Sequence, residues 1–327
     1  MKIFLTGGSG FVGSNLIPYF LEQGHTVYAI ARSDKSAAQV EALGAKVVRD
    51  DLLSLSAATQ SALDKCALVV HAAAHMDFTY DPKPFYDLNV NATKQLLSMA
   101  EASGVQRFIY ISAAPVVPGS PIKEMREHEA AEELPSALYP KTKAIGERAV
   151  LAANKPGFVT LSIRPPAIWG ANNHHLEELF DNARKGRWRW IGGSRQVLST
   201  IHVKNLGAAI TAAAQADVEG GEAYFVTDGD SRPMRTTFGA IMKAHGIDPG
   251  EKELPKGIAV FMAHLLGGTW RMLGLKSRPP IAPLMIRLMV NEFSVVDQKA
   301  RQELGYVNAL SFEEGIAELQ KTNVIDH

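Results

Sequence analysis

Tyr139 and Lys143 stand four residues apart in the run Tyr139-Pro140-Lys141-Thr142-Lys143. Residues at that spacing share one face of a helix. A phenol with a pKa near ~10 is a poor acid–base group at neutral pH. An ammonium within a few ångströms favours the phenolate and lowers that pKa by ~1–3 units. Such a pair can exchange a proton with an alcohol or ketone while a second group carries hydride. Far upstream, Thr6-Gly7-Gly8-Ser9-Gly10-Phe11-Val12-Gly13 places glycines at 7, 10 and 13. At this spacing Gly7 permits a tight turn, Gly10 lets the backbone approach a pyrophosphate, and Gly13 lets the next helix pack closely. The N-terminus of that helix, with Phe11 and Val12 in its first turn, would aim free N–H groups at phosphates. The two motifs together imply a nicotinamide dinucleotide as the hydride carrier.

The elements that must position these residues are legible as short, continuously apolar, β-branched runs. They are Lys2–Thr6, His25–Ala31, Ala45–Arg49, Ala67–Ala72, Gln106–Ser112 and Phe158–Arg164. Continuous rather than alternating apolarity suits parallel strands covered on both faces. Helical segments lie between them: Phe11–Gln23, Lys35–Leu43, Pro82–Ser103 and the helix from Tyr139 to about Ala153. In Pro82–Ser103, Phe85, Leu88, Ala92, Leu96 and Met99 recur at three- and four-residue steps, which reads as one continuous helix. Strand–helix alternation gives an α/β fold: a Rossmann-type doubly wound parallel sheet. The dinucleotide-binding domain is expected over 1–170, with Ile201–Ala216 and Ala223–Thr227 completing its sheet at about 199–230. A smaller, mostly helical substrate-binding lobe is expected within 171–327, from about Ala171–Leu198 and Ser231–His327.

The second strand ends at Ala31-Arg32-Ser33. An acidic residue here would take a free ribose 2′-OH; Arg32 instead suits a 2′-phosphate, with Ser33 and Lys35 as helpers. The cofactor expected is therefore NADP, although stacking of Arg32 on adenine would admit NAD as well. Asp51, with Leu52 beside it, follows the third strand and can accept from the adenine amino group, or can cap the helix that begins near Leu55.

Bulk properties exclude several classes. Lys+Arg equals Asp+Glu at 34 each, so the bulk charge supplies no field for nucleic acid or an anionic membrane, and only a local patch could do so. The single cysteine, Cys66, forbids an internal disulfide and sits beside the apolar run Ala67–Val70. His174-His175 has no Cys or carboxylate at ligand spacing, so no metal is expected. The basic run Arg184, Lys185, Arg187, Arg189 reads as a solvated helix end. Gly257–Leu275, with Phe261, Met262, Leu265, Leu266 and Trp270, is too short to span a bilayer. It could line a pocket, lie on a membrane surface or, as the simplest reading, form a core helix of the lobe. Lys2–Thr6 runs straight into the glycine turn with no export signal, which gives a cytoplasmic expectation.

The chain resembles the extended short-chain dehydrogenase/reductase superfamily, also known as the epimerase/dehydratase family. The likeness rests on Thr6–Gly13, Asp51-Leu52, His71–Ala74, Asn89-Val90-Asn91-Ala92-Thr93, Tyr139–Lys143, Arg164–Gly170 and His202–Asn205. Tyr139–Lys143 followed by Glu147–Asn154, with Arg164-Pro165-Pro166, is most similar to the 3β-hydroxysteroid dehydrogenase/isomerase branch. The resemblance implies that Asn89 orders the site through a buried polar relay and that Lys143 also holds the nicotinamide ribose. It implies that Ala72, Ala73 and Ala74 line the pyrophosphate and ribose path, and that Pro166 and Ile168 lie against the nicotinamide. It further implies a homodimer paired through the helices at about Pro82–Ser103 and Tyr139–Ala153.

Two departures bear on function. The family's Ser-Ser or Ser-Thr pair after the fifth strand, whose second hydroxyl polarises the substrate oxygen, has Ala113 at that second position here, in Tyr110-Ile111-Ser112-Ala113-Ala114. Ser112 shifting into the role, a lobe residue or water would have to replace it; losing one such donor costs ~10²–10³ in rate. Nucleotide-sugar epimerases carry Asn where this chain has Ala167, and their dehydratase relatives carry an acidic pair where it has Ala113-Ala114. The leading expectation is an oxidoreductase acting on a secondary alcohol or ketone of an apolar, steroid-like small molecule. The alternatives are a nucleotide-sugar epimerase or dehydratase and a non-catalytic NADP-sensing protein.

Overall fold

The computed structural model describes residues 1–117, 119, 121–129 and 133–325. Seven strands form one wholly parallel sheet: β1 (Lys2–Thr6), β2 (Thr26–Ala31), β3 (Lys46–Arg49), β4 (Leu68–His71), β5 (Arg107–Ile111), β6 (Val159–Arg164) and β7 (Glu222–Phe225). In space they run β3-β2-β1-β4-β5-β6-β7. The order reverses between β1 and β4, and the crevice outside their carboxyl ends is where such sheets bind ligands.

Alternation along each strand divides the core into two layers. Ile3 and Leu5 pack with Leu16, Ile17, Phe20, Val40, Leu206 and Ile210, under the helices Phe11–Glu22, Asp34–Ala42 and Val203–Gln215. Phe4, between them, points to the opposite layer with Leu63, Val69, Leu96, Phe108 and Val150, under Ala57–Leu63, Thr93–Ala102 and Leu138–Ala152. Fully buried strands on both faces explain the unbroken apolar runs.

Three features differ from the sequence expectations. The segment read as one helix over Pro82–Ser103 is α-helical at Pro82–Tyr86, a π-turn at Asp87–Ala92, and α-helical again at Thr93–Ala102. A π-turn inserts one residue without disturbing an apolar three-and-four pattern, so periodicity alone does not reveal it. The lobe also contains a small sheet, ordered Arg232–Pro233, Val197–Leu198, Phe293–Val295, Ile122–Met125, whose last strand comes from the first half of the chain. Near the C-terminus, Ala300, Leu304 and Tyr306 return to the core of the main sheet. Tyr306 Oη donates to the Thr227 carbonyl at 2.7 Å.

Candidate active site

The glycine turn sits at the carboxyl end of β1. Gly7 has φ +73° and lies so close to the loop after β4 that a Cβ would stand 2.9 Å from Ala73 N. A Cβ on Gly13 would lie 2.2 Å from Gly7 O, so the helix sits directly on the turn. Gly10 is different: a Cβ there would meet only Gly7 O, at 3.4 Å. The helix opens at Gly10 with no side-chain cap, so the N–H groups of its first turn, Phe11 and Val12 among them, lack intrahelical partners. Open space beside uncapped amides, flanked by Ala72 and Ala73, fits a diphosphate.

The adenine end is formed by the next two strand ends. Arg32 is exposed and makes no ion pair among the described residues. Ser33 caps the helix Asp34–Ala42 through a reciprocal bond with Ser36, which explains that serine structurally. Among the described residues the Asp51 side chain accepts from Leu53 N, at 3.0 Å, and Leu52 is buried. The following helix begins at Ala57, within two residues of the expected start near Leu55, and Ser56 is its N-cap. Its entry is organised by Ser56 and by Asp50, which accepts from Ser56 N, Ser56 Oγ and Thr59 Oγ1. Asp51 is therefore not the cap.

Tyr139 and Lys143 lie on the helix Leu138–Ala152. Lys143 is 1 % exposed; its Nζ donates to Ile111 O at 2.6 Å and lies 3.9 Å from the Tyr110 ring centroid. Burial pulls its pKa down to about 7, partly opposed by Glu147. Burial pushes Tyr139 up to about 12. The sequence expectation was a phenol lowered by its lysine, and the structure gives the reverse. The Lys143 ammonium is directed at Ile111 and Tyr110, and the phenolate loses solvation.

Two buried polar networks hold this helix. The Asn89 side chain accepts from His75 N at 2.7 Å and donates to His75 O and to Thr142 Oγ1, each at 3.0 Å. Thr142 Oγ1 in turn contacts the carbonyls of Leu138 and Tyr139 at 2.8 and 3.1 Å. The π-turn thus delivers Asn89 to the first turn of the Tyr139 helix. A chain of bonds runs behind it: Ala73 N–Thr6 Oγ1 (3.0 Å), Thr6 Oγ1–His71 Nδ1 (2.6 Å), His71 Nε2–Thr93 Oγ1 (2.9 Å) and Thr93 Oγ1–Asn89 O (3.0 Å). Thr93 donates to a carbonyl, so Nε2 of His71 must carry the proton and Nδ1 must accept from Thr6. Burial pushes the His71 pKa down to about 3, which keeps it neutral.

Residues outside the sequence-level candidates complete the support. Glu147, 3 % exposed, accepts from Ser162 Oγ at 2.7 Å and from Arg164 Nη2 at 2.6 Å, pinning the helix to β6. A Cβ on Gly146 would lie 2.5 Å from Asn89 O and 2.7 Å from Tyr110 Oη. Glu147 follows Lys143 by one helical turn, so its spacing was available as a signal. Gly146 had none, because its constraint comes from β5 and the π-turn.

Ser112 is 4 % exposed, and its Oγ has no hydrogen-bond partner among the described residues. Ala113 and Ala114 belong to an apolar cluster with Val116, Val117 and Phe225, and the half-buried Tyr139 and Ala167 pack against it. Both departures noted in the sequence, at 113 and 167, therefore fall on the wall that carries Tyr139. Pro166 is buried, and Ile168 packs on the core of the main sheet. Ala74 is half-buried in the loop after β4. No His, Cys, Asp and Glu cluster suited to a metal ion occurs among the described residues.

The sequence profile described as the 3-beta hydroxysteroid dehydrogenase/isomerase family matches residues 4–256. A ketoreductase of 4-hydroxy-2-methyl-3-oxo-4-farnesyl-3,4-dihydroquinoline-1-oxide from Stigmatella aurantiaca is 35% identical over 323 residues, covering 98% of this chain and 96% of the relative. A decarboxylating sterol-4-alpha-carboxylate 3-dehydrogenase from Dictyostelium discoideum is 30% identical, covering 97% and 99%. A 3-beta-hydroxysteroid dehydrogenase from Mycolicibacterium neoaurum is 31% identical, covering 97% and 90%. Among solved structures, the UDP-glucuronic acid 4-epimerase of Bacillus cereus, in complex with UDP-glucuronic acid and NAD, superposes with TM-score 0.75 at 18% identity, covering 100% of both chains. At that identity the likeness is one of fold. The chain belongs to the 3-beta hydroxysteroid dehydrogenase/isomerase family, within the extended short-chain dehydrogenase/reductase enzymes.

Proposed function

We propose that this enzyme is an NADP-dependent reductase of a ketone on an apolar small molecule, steroid-like or terpenoid, and that it works in the reverse direction on the matching secondary alcohol. The observation that carries the reading is the setting of Tyr139. Its phenol packs against an apolar wall with alanine at 113 and 167, side chains that offer a sugar diphosphate no hydrogen bond. The names of the farnesylated-quinoline ketoreductase and the sterol and steroid dehydrogenases support the same substrate class.

The glycine turn, with Phe11, Val12, Ala72, Ala73 and Ala74, would hold the diphosphate; Asp51 and Leu52 would flank adenine, and Arg32 would pair with a 2′-phosphate. Pro166 and Ile168 would back the nicotinamide. When bound, that ring supplies the hydride acceptor or donor. Tyr139 Oη hydrogen-bonds the substrate oxygen. With its pKa pushed up to about 12, the phenol is protonated at neutral pH and donates its proton as the carbonyl becomes an alkoxide. Lys143 would hold the nicotinamide ribose. Asn89 acts through Thr142 to position the first helical turn. Ser112 Oγ, buried without a partner, serves as the second donor to the substrate oxygen. The enzyme would act in the cytoplasm as a homodimer.

The test is loss of NADPH absorbance against a panel of steroid and terpenoid ketones. Turnover of Tyr139→Phe is expected to fall ~10²–10⁴-fold with NADPH affinity retained. Full activity in that variant would place the proton donor elsewhere. Ala113 favours one second reading, an NADP-sensing protein, in which NADPH binds and no ketone is reduced.

A further inference from the structure

The loop Ala72–His75 is tied down at two points, and both ties lead to Asn89. At Ala73, the backbone N–H donates to Thr6 Oγ1, and the bonds continue through His71 and Thr93 to the Asn89 carbonyl. At His75, the backbone N–H and C=O both bond the Asn89 side chain. The loop is thus closed into a circuit of hydrogen bonds that begins and ends on one residue. Thr6, His71, Thr93 and Asn89 are all buried, so bulk water does not reach the circuit.

Every direction in the circuit is forced. A threonine hydroxyl has one hydrogen and a neutral imidazole one N–H. Thr93 gives its hydrogen to Asn89 O, so it accepts from His71 Nε2; His71 Nδ1 then accepts from Thr6, whose oxygen accepts from Ala73 N. No member can turn without leaving a buried group unpaired. The π-turn sets the far end, since Thr93 directs its N–H to Val90 O and its hydroxyl to Asn89 O. Asn89 also reaches out of the circuit. Its side chain donates to Thr142 Oγ1, which lies 2.8 and 3.1 Å from the carbonyls of Leu138 and Tyr139. Its carbonyl lies against the same helix at Gly146, where a Cβ would stand 2.5 Å away. The circuit that grips the loop therefore also grips the Tyr139 helix, at two points.

We propose that His71 and Thr93 are positioning residues that couple occupancy of the loop Ala72–Ala74 to the placement of Tyr139, through Asn89 and Thr142. Both are fully buried and act through Asn89, not on a ligand. The inference rests on the cofactor reading above: a dinucleotide seated on the loop steadies the first turn of the Leu138–Ala152 helix. Breaking the circuit at Thr93 uncouples the two events and leaves the glycine corner in place to bind.

The test uses the full chain and NADPH alone, so it needs no substrate. Calorimetry reads binding, and hydrogen exchange reads the amides of Lys141, Thr142 and Lys143. In the unaltered chain NADPH should slow that exchange at least about tenfold. Thr93→Val keeps the shape and removes the hydroxyl; it should still bind NADPH but lose most of the slowing. His71→Asn can accept from Thr6 but falls short of Thr93, and should behave as Thr93→Val does. Thr93→Ser keeps the hydroxyl and removes the methyl; it should retain the slowing even though the small cavity lowers its melting temperature. With a ketone that is turned over, kcat should follow the same order, lowest in Thr93→Val and His71→Asn, with KM for NADPH little changed. A role in packing alone predicts the reverse order, with Thr93→Ser the worse variant, and that result overturns the proposal. So does slowing that survives in Thr93→Val and His71→Asn, which would mean that the nucleotide shields the helix directly, and so does binding with no slowing in the unaltered chain. No NADPH binding by the unaltered chain would instead overturn the cofactor reading, and this inference with it.

Discussion

At the residue scale, the site contains two polar groups whose state depends on what surrounds them. Ser112 Oγ is buried and unpartnered. A buried hydroxyl without a bond costs stability, so removing it is neutral or favourable to the fold. Ser112→Ala is therefore expected to leave the melting temperature unchanged or slightly higher while kcat for ketone reduction falls ~10²-fold. An unchanged kcat would move the second donor to the lobe or to water. His71 gives a pH dependence. Its folded pKa is pushed down to about 3 from an ordinary value of 6.5. The unfolded chain thus binds the proton more readily, and stability is fully present above about pH 6.5 and is lost as pH falls toward 3. Thermal melts across that window should show the decline, with a shallower slope in His71→Asn. An equal slope in both proteins would mean that His71 is not the group being protonated.

At the scale of elements, the helix that carries Tyr139 and Lys143 depends on close approach to its neighbours. Gly146→Ala would force its new methyl onto Asn89 O and Tyr110 Oη. Overpacking of this kind costs ~1–3 kcal/mol. The shift would also move Asn89 relative to Thr142, so denaturant unfolding and kcat should both decline; a fully stable, fully active variant would show that the contact is soft. Little of this was legible beforehand. The strands were, because fully buried parallel strands demand unbroken β-branched runs, and β1 to β6 end within one residue of those runs. Tyr139, Lys143 and the three glycines were also legible, because each motif is local. The π-turn was not, since a one-residue slip keeps Phe85, Ala92 and Leu96 on the buried side. The Thr6–His71–Thr93 relay was not, since it joins residues from three separate elements. The small lobe sheet was not, because strands of two to four residues carry no period to read. The direction of the Tyr139 shift was not, because spacing gives the neighbour but not the desolvation.

At the scale of the whole molecule, one carboxylate ties together segments distant in the chain at the end of the main sheet. Asp228, just past β7, accepts from Trp169 Nε1, Thr200 Oγ1, His202 N and Asn205 Nδ2, all between 2.7 and 2.9 Å. Asn308 Nδ2 donates to its carbonyl at 2.6 Å, tying in the C-terminal return. With both carboxylate oxygens satisfied, such a network rigidifies the place where Trp169, Thr200, Asn205 and Asn308 meet. The site is thus largely formed by the chain itself, and dinucleotide binding should need no partner or substrate. Isothermal titration calorimetry of the full chain with NADPH and with NADH tests this most directly. One NADPH per chain is expected, bound about tenfold more tightly than NADH, with the preference lost in Arg32→Asp. Equal affinities unaffected by that substitution would remove Arg32 from the 2′-phosphate, and no detectable binding of either nucleotide would contradict the nucleotide corner itself.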